Sequence, residues 1–513
     1  MTVKTEAIES FFSTFLPLPD ERQSFTAKTA PIFLLPPLLL IIASYIRLRH
    51  PNLSLYWRAA FAIVGVPVIF RSCLSNYVDT TLSYRTLNFS SEMFCFVSGV
   101  AAYVFVMLFV ELLLMGKEED YDVNGAKNFE LDHTKREITS LVRDGFTLQR
   151  PRCFPGTNVP LVLDILASLR GLGYGRGIDQ GDLPYKAGYD ALTKSQLLAK
   201  GSTYEARKIK WNACKKAARI FVVCYLILDF IESFYRRPEI LTDDCKHGPC
   251  SIGESKKGRL GSAGPMILTA LLGTYVVCVM QTVSSLVYLC ALLPTRPSQI
   301  PITISRYEPL PFAHPHFSDS LRAMWGIHWH GFFRRFFLIF GYYPIRNLIT
   351  TVGLPRKVGT AFGVLATFLI SGLMHEMCLE AILPKFKVWD VDGAKIGRIR
   401  TSERGFGAQN FRSTQFFLIQ GIGIIFEDIF TNIVEPRIAV IFSNHTTKLD
   451  KPQLFKGVLR RILGWIWCMT VMVYFGHMLL DIWLLHGIAS AGITFQFTHP
   501  LTQIIVDLLP PVT

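Results

Sequence analysis

Phe368-Leu369-Ile370-Ser371-Gly372-Leu373-Met374-His375-Glu376 closes an apolar run that begins near Val358, and its last two residues decide how the chain is read. An ionisable pair at the end of a membrane-length run is expensive to place, so it marks a functional site by default. Ser371 and His375 stand four apart, on one face of a helix, where the hydroxyl could orient the imidazole. Small Ser371 and Gly372 let another helix or a ligand come close. The same residues also fit a plainer arrangement, a histidine closing a buried helix end with its ring bonded to a carbonyl.

Working outward, the chain has 513 residues, 50% apolar and 18% charged, with a mean hydropathy of +0.32. That balance is too apolar for an ordinary soluble enzyme and predicts an all-α multi-pass membrane protein. A helical span needs about 20 mostly apolar residues. Eight candidate runs lie near Ile32–Tyr45, Trp57–Phe70, Met93–Met115, Ile220–Phe234, Met266–Leu293, Val358–Met374, Thr414–Ile433 and Ile462–Leu485. The chain therefore divides into a soluble leader over 1–30, transmembrane helices over 31–116, a polar extramembrane insertion over 117–219, and further transmembrane helices over 220–293. A large fifth part runs over 294–500, and a tail follows over 501–513.

The net charge of +14 does not call for nucleic acid. Lys and Arg cluster between the apolar runs, where loops meet anionic headgroups. From Ser202 to Arg219 the basic residues lead straight into the fourth run, which reads as a cytoplasmic flank. Alternation from there sends the Cys245/Cys250 segment to the lumen, where the two thiols could bridge, although Arg236, Arg237, Lys256, Lys257 and Arg259 in that segment argue for the other side. The 11 cysteines contain no C-x-x-C, so neither a zinc site nor a redox motif is indicated. The start is too polar for a cleavable signal peptide, and no retention signal ends the chain.

A second constellation precedes the first. Ser318-Asp319-Ser320-Leu321-Arg322-Ala323-Met324-Trp325-Gly326-Ile327-His328-Trp329-His330 is the densest cluster of aromatics and histidines, and Gly331-Phe332-Phe333-Arg334-Arg335-Phe336-Phe337 continues it. Phenylalanines with an arginine pair suit a helix lying in the membrane interface, apolar side inward. Two tryptophans flanking two histidines need a further reason. Histidines two apart point to different faces of a helix, and no H-x-x-x-H occurs here, so no metal is expected.

Trp325-Gly326…Trp329-His330 followed by Phe368…Ser371-Gly372…His375-Glu376 resembles the wax-synthase-type branch of the membrane-bound O-acyltransferases. It is most similar to fungal members that acetylate terpenoid alcohols in secondary-metabolite pathways. Ser168-Leu169-Arg170-Gly171-Leu172-Gly173-Tyr174 resembles that branch's Arg-Gly-x-Gly-aromatic element, and Gln420-Gly421…Glu427 fits its pattern. The match is tight over roughly 318–376 and loose elsewhere. Members often carry two basic residues between the Gly and the second Trp, and a Gln after the His; here Ile327, His328 and Gly331 stand there, with His328 keeping part of the role.

The resemblance implies a bundle of about eight transmembrane helices, with interfacial helices, around an acyl-transfer tunnel. It makes residues 294–500 the catalytic region, and implies acyl transfer from acyl-CoA to a hydroxyl with His375 as general base. His330 would donate to the thioester carbonyl or orient a substrate, with Ser371, Trp325, Trp329, His328 and Glu376 as substrate-orienting residues. Arg334 and Arg335 are the nearest cations for CoA phosphates, and membrane anchoring explains them equally well. No bound cofactor is expected: acetyl-CoA or another acyl-CoA is cosubstrate, a lipophilic alcohol and the bilayer are the partners, and the endoplasmic reticulum is the expected location. A long-chain wax ester synthase keeps the same chemistry. A non-enzymatic transporter or receptor is the reading from another class, against which stands the absence of internal repeats. His477-Met478-Leu479-Leu480-Asp481 matches the H-x-x-x-D of soluble acyltransferases, but inside an apolar run the two residues are expected to pair with each other across one helix turn.

Overall fold

Backbone amides in hydrocarbon have no water to bond, so apolar runs of this length fold as helices that satisfy themselves. The computed structural model describes residue 17, residues 21–50, 53–77, 91–115, 203–235, 261–295, residue 312, and residues 315–329, 333–382, 411–434 and 452–485. Within these, helices α1 (Leu35–Arg49), α2 (Leu55–Leu74) and α3 (Ser91–Val110) come first. Helices α4 (Thr203–Tyr235) and α5 (Gly264–Leu292) follow. A short helix α6 (Leu321–Ala323) widens into a π turn over Met324–His328. Helix α7 (Arg334–Phe337) runs through a second π turn into α8 (Tyr343–Thr351). Last come α9 (Arg356–Glu380), α10 (Arg412–Ile429) and α11 (Pro452–Leu485). The only pairing of strands among the described residues is a parallel one of two residues each, β1 (Gln23–Ser24) with β2 (Asn76–Tyr77).

Among the described residues, five helices are long and apolar enough to cross a membrane: Leu55–Leu74, Phe94–Leu114, Gly261–Leu292, Arg356–Leu379 and Leu459–Leu484. They turn Ile63 and Val64, Val283, Leu286 and Val287, and Ile462, Leu463 and Ile466 outward, a surface suited to lipid and not to water. The other three predicted runs are helical but fall short of that standard. Ala30–Ile46 is shorter, α4 opens on a basic half with Arg207, Lys208 and Lys210, and α10 spends Gln415, Gln420, Glu427 and Asp428 within 18 residues.

Helix α9 is the central element because it belongs to two cores. Met374 and Cys378 pack with Leu40, Ile69, Phe109 and Leu113 of the N-terminal helices and with Phe336 and Phe337 of α7. On another face Phe368 joins Leu321, Met324, Phe416, Phe417 and Cys468. Lipid is as apolar as these side chains, so close backbone approach rather than water exclusion holds such helices together. A Cβ at Gly99 would stand 2.9 Å from the Cys378 Cα, and one at Gly372 would stand 2.6 Å from the Thr414 Cα. The leader is tied to the same helix, since Arg22 Nη1 donates to the Ala381 carbonyl at 2.6 Å, just past the end of α9.

Helices α4 and α5 form an antiparallel pair. Ala213 and Ala217 meet Tyr288 and Leu292, while Leu228 meets Cys278 and Val279 further along. Lys210 Nζ closes one end by donating to the carbonyls of Leu293 and Thr295 at 2.7 and 3.0 Å. Gln281 of α5 donates from Nε2 to the Phe312 carbonyl, and His316 Nε2 lies 3.2 Å from Thr274 Oγ1. The pair thereby supports the segment that leads into α6.

Candidate active site

The site is assembled on α10. At one end of that helix the backbone enters through Phe411 at φ 52°, in the left-handed region that is uncommon for a residue with a side chain. The Phe411 side chain makes no cap bond to the first amides of α10. Glu376 does so from α9, with Oε1 accepting from the Thr414 amide at 3.1 Å. A carboxylate at a helix N-terminus is favoured by the unpaired N–H groups and the dipole. Glu376 is buried, and this bond locks α9 to α10 immediately beside His375.

His375 is 6% exposed. Its Nδ1 lies 2.7 Å from the Ser371 carbonyl oxygen, one turn back. The serine hydroxyl, expected from the i,i+4 spacing, does not orient the ring through this contact; the carbonyl does, using its second lone pair. This is the bond that the plainer arrangement predicts, and it has a chemical consequence. A carbonyl can only accept, so Nδ1 must carry the proton, and in the neutral ring Nε2 is left as the acceptor. The ring lies against Phe417, with centroids 4.5 Å apart and planes at 32°. The indole of Trp483 stacks on it from α11 at 6.2 Å and 17°.

The tryptophan segment reaches this histidine through aromatic contacts. Trp325 meets Phe417, Phe368 and Trp329 edge-on at 5.5, 5.7 and 6.0 Å, each such pair contributing about 0.5–1.5 kcal/mol beyond burial. Its Nε1 donates to Gln420 Oε1 at 3.3 Å. Trp329 closes on Phe312 at 5.2 Å. The segment is short and could not hold its own shape, and α10 holds it. Glu427 accepts from the Leu321 and Arg322 amides at 2.6 and 3.1 Å and from Trp467 Nε1 at 3.0 Å. Ser320 caps the same turn by accepting from the Ala323 amide at 3.1 Å, and Arg322 pairs with Asp428 at 2.9 Å.

Of the residues singled out in the sequence, Trp325, His375 and Glu376 touch α10, while Trp329 packs on Trp325 and the Ser371 carbonyl holds His375. His328 sits half-buried in the π turn. His330, the side chain of Arg335, the Ser168–Tyr174 element and Cys245 and Cys250 lie outside the described residues. Arg334 is half-buried at the start of α7. Among the described residues no three His, Cys, Asp or Glu side chains converge as metal ligands would. The H-x-x-x-D pair of α11 is occupied otherwise than by a mutual bond: Asp481 takes the Arg412 guanidinium at 3.1 Å, and His477 Nδ1 faces the Tyr474 carbonyl at 2.6 Å.

Phe417, Trp483 and Arg412 were not expected at the site. Each is a common residue type in a membrane helix, and no motif sets them apart. Only the position of Gln420 and Glu427 on the same helix pointed towards α10.

No curated protein and no solved structure matches the chain. One family does: residues 308–391, which contain both the tryptophan segment and the His375 turn, match the Membrane bound O-acyl transferase family, so that over this region the chain is similar to that family.

Proposed function

We propose that the protein is an acyl-CoA-dependent O-acyltransferase of the wax-synthase-like branch, with His375 as general base, acting on a lipophilic alcohol in the membrane. Acyl transfer is the activity that the matched family supports. The observation that carries the role of His375 is its Nδ1 contact to the Ser371 carbonyl, which leaves the buried Nε2 as a proton acceptor. An alcohol is a poor nucleophile until its proton is taken in the transition state, and positioned proton transfer contributes typically about 10²–10⁴-fold.

In this reaction the hydroxyl proton passes to Nε2 as the alcohol oxygen bonds to the thioester carbon. The carbonyl becomes an oxyanion, then re-forms as the carbon–sulfur bond breaks. The CoA thiolate leaves and takes back the proton from the imidazolium. No acyl-enzyme is required. Phe417 and Trp483 surround His375 with aromatic rings, which favours an apolar, ring-bearing alcohol of terpenoid type, with acetyl-CoA as the expected donor. The endoplasmic reticulum is the expected compartment.

The test is acceptor-dependent release of free CoA thiol by membranes containing the protein, with acetyl-CoA and a long-chain acyl-CoA as donors, against a panel of terpenoid and fatty alcohols. Release that depends on the alcohol and vanishes in His375→Ala is the expected result. Release confined to long-chain donors and fatty alcohols would replace acetyl transfer by wax ester synthesis, and unchanged release from the variant would remove His375 from the reaction.

A further inference from the structure

The indole of Trp483 carries a hydrogen-bond donor that nothing among the described residues accepts. Its Nε1 is buried without a partner, although a buried indole N–H normally finds one, and leaving such a donor unpaired costs about 1–3 kcal/mol. The ring itself is firmly set. Phe96 meets it at 5.6 Å and 67°, and two residues earlier Asp481 is clamped by Arg412 of α10. Its face is stacked at 17° on the imidazole of His375.

That near-parallel stacking decides where the donor can act. An indole N–H lies in the plane of its ring, so with the two rings nearly parallel it runs alongside the imidazole rather than into it. It is therefore not aimed into the imidazole face, and is left for a group bound beside the two rings. Indole is donor-only. A hydrogen bond to the attacking alcohol oxygen would draw on the lone pair needed for attack. A hydrogen bond to the thioester oxygen strengthens as negative charge develops there.

We propose, on the basis of the acyl-transfer reading above, that Trp483 Nε1 donates to the carbonyl oxygen of the acyl donor and stabilises the oxyanion formed when the alcohol attacks. In the step already written, the proton goes to His375 Nε2 and the new negative charge goes to the oxygen facing Trp483.

The variant is Trp483→Phe, which keeps an aromatic ring against His375 and Phe96 and removes the N–H. Two measurements read it. The first is turnover: loss of one oxyanion donor lowers kcat by about 10²–10³-fold, with little change in KM for acyl-CoA, whereas a purely packing role would leave the fall below about tenfold. The second is binding, which does not need the alcohol to be known. Acetonyl-dethia-CoA keeps the carbonyl, and S-ethyl-CoA lacks it. The wild-type protein should prefer the first by roughly fivefold, the equivalent of one neutral hydrogen bond, and Trp483→Phe should lose that preference while binding S-ethyl-CoA unchanged. A preference that survives in a folded Trp483→Phe protein overturns the assignment of Trp483 and leaves acyl transfer standing. A wild-type protein that binds neither analogue and releases no thiol overturns both. Should Trp483→Phe fail to fold, the wild-type preference for the carbonyl analogue decides, and its absence is refuting.

Discussion

Gly372→Ala adds one methyl group at the closest approach of α9 and α10, and the outcome follows from distances. The new Cβ would stand 2.6 Å from the Thr414 Cα, 3.1 Å from its Cβ and 3.2 Å from its Cγ2. Carbon atoms at rest sit about 3.5–4.0 Å apart, so α10 must withdraw by about 1 Å. The nearest neighbour is backbone and cannot rotate away. Alanine is the better helix former by about 1 kcal/mol, while overpacking costs about 1–3 kcal/mol, so stability should fall by up to roughly 2 kcal/mol. Activity should fall further, because α10 carries Phe417 against His375 and a displacement near 1 Å can cost about 10²-fold. Gly273→Ala is the control. Nothing lies within 4 Å of the point its new methyl would occupy, so the same chemical change should be neutral or stabilising by about 0.5–1 kcal/mol. Thermal unfolding in detergent and thiol release in membranes read the two quantities. A Gly372→Ala protein with wild-type midpoint and turnover would refute the crossing as described.

Ser371→Ala should leave turnover within about fivefold of wild type, less than one neutral hydrogen bond, because the ring contact is to the Ser371 carbonyl; a larger loss in a folded protein would return the hydroxyl to the mechanism. His375→Gln should fold, keep its acyl-CoA affinity and release no thiol, and residual acceptor-dependent release would count against a base at this position. Glu427→Ala removes an acceptor from two amides and one indole; partial exposure lets water replace some of these, so a loss of about 2 kcal/mol is expected, with Glu427→Gln losing about half. An unchanged unfolding midpoint for Glu427→Ala would show that the tryptophan segment does not depend on α10. Arg412→Ala takes the guanidinium away from the buried Asp481 carboxylate and should cost about 1–3 kcal/mol by the same measurement; an unchanged unfolding midpoint would contradict that.

The helical, membrane-type architecture was legible because backbone satisfaction in lipid leaves few options, and every predicted run falls on helical structure. The count of spans was less legible. In α10 the polar residues Gln420 and Glu427 sit in an apolar sequence because they bond Trp325, the α6 amides and Trp467, and no linear hydropathy reading separates such a helix from a lipid-facing one. At the site, His375 and Trp325 declared themselves by being costly or unusual where they stand. The hydroxyl role of Ser371 did not follow, since i,i+4 spacing brings a carbonyl within reach as readily as a side chain. Phe417 and Trp483 were invisible because their contribution is a relation between helices distant in sequence.

Those distant relations bear on how the site stays rigid. Neither motif holds itself. The tryptophan segment has three helical residues and a π turn, and the His375 turn lies at the end of a helix whose last carbonyl region is tied by Arg22. Both are fixed by acceptors and donors on one helix outside the matched segment: Thr414 for Glu376, Gln420 for Trp325, and Glu427 for Leu321 and Arg322. These contacts span almost the whole of α10, so a shift of that helix moves His375, its aromatic wall and the tryptophan segment together. Substitutions along its inner face should therefore lower turnover jointly and non-additively, and that coupling is what distinguishes a site built on α10 from two independent motifs that happen to be close.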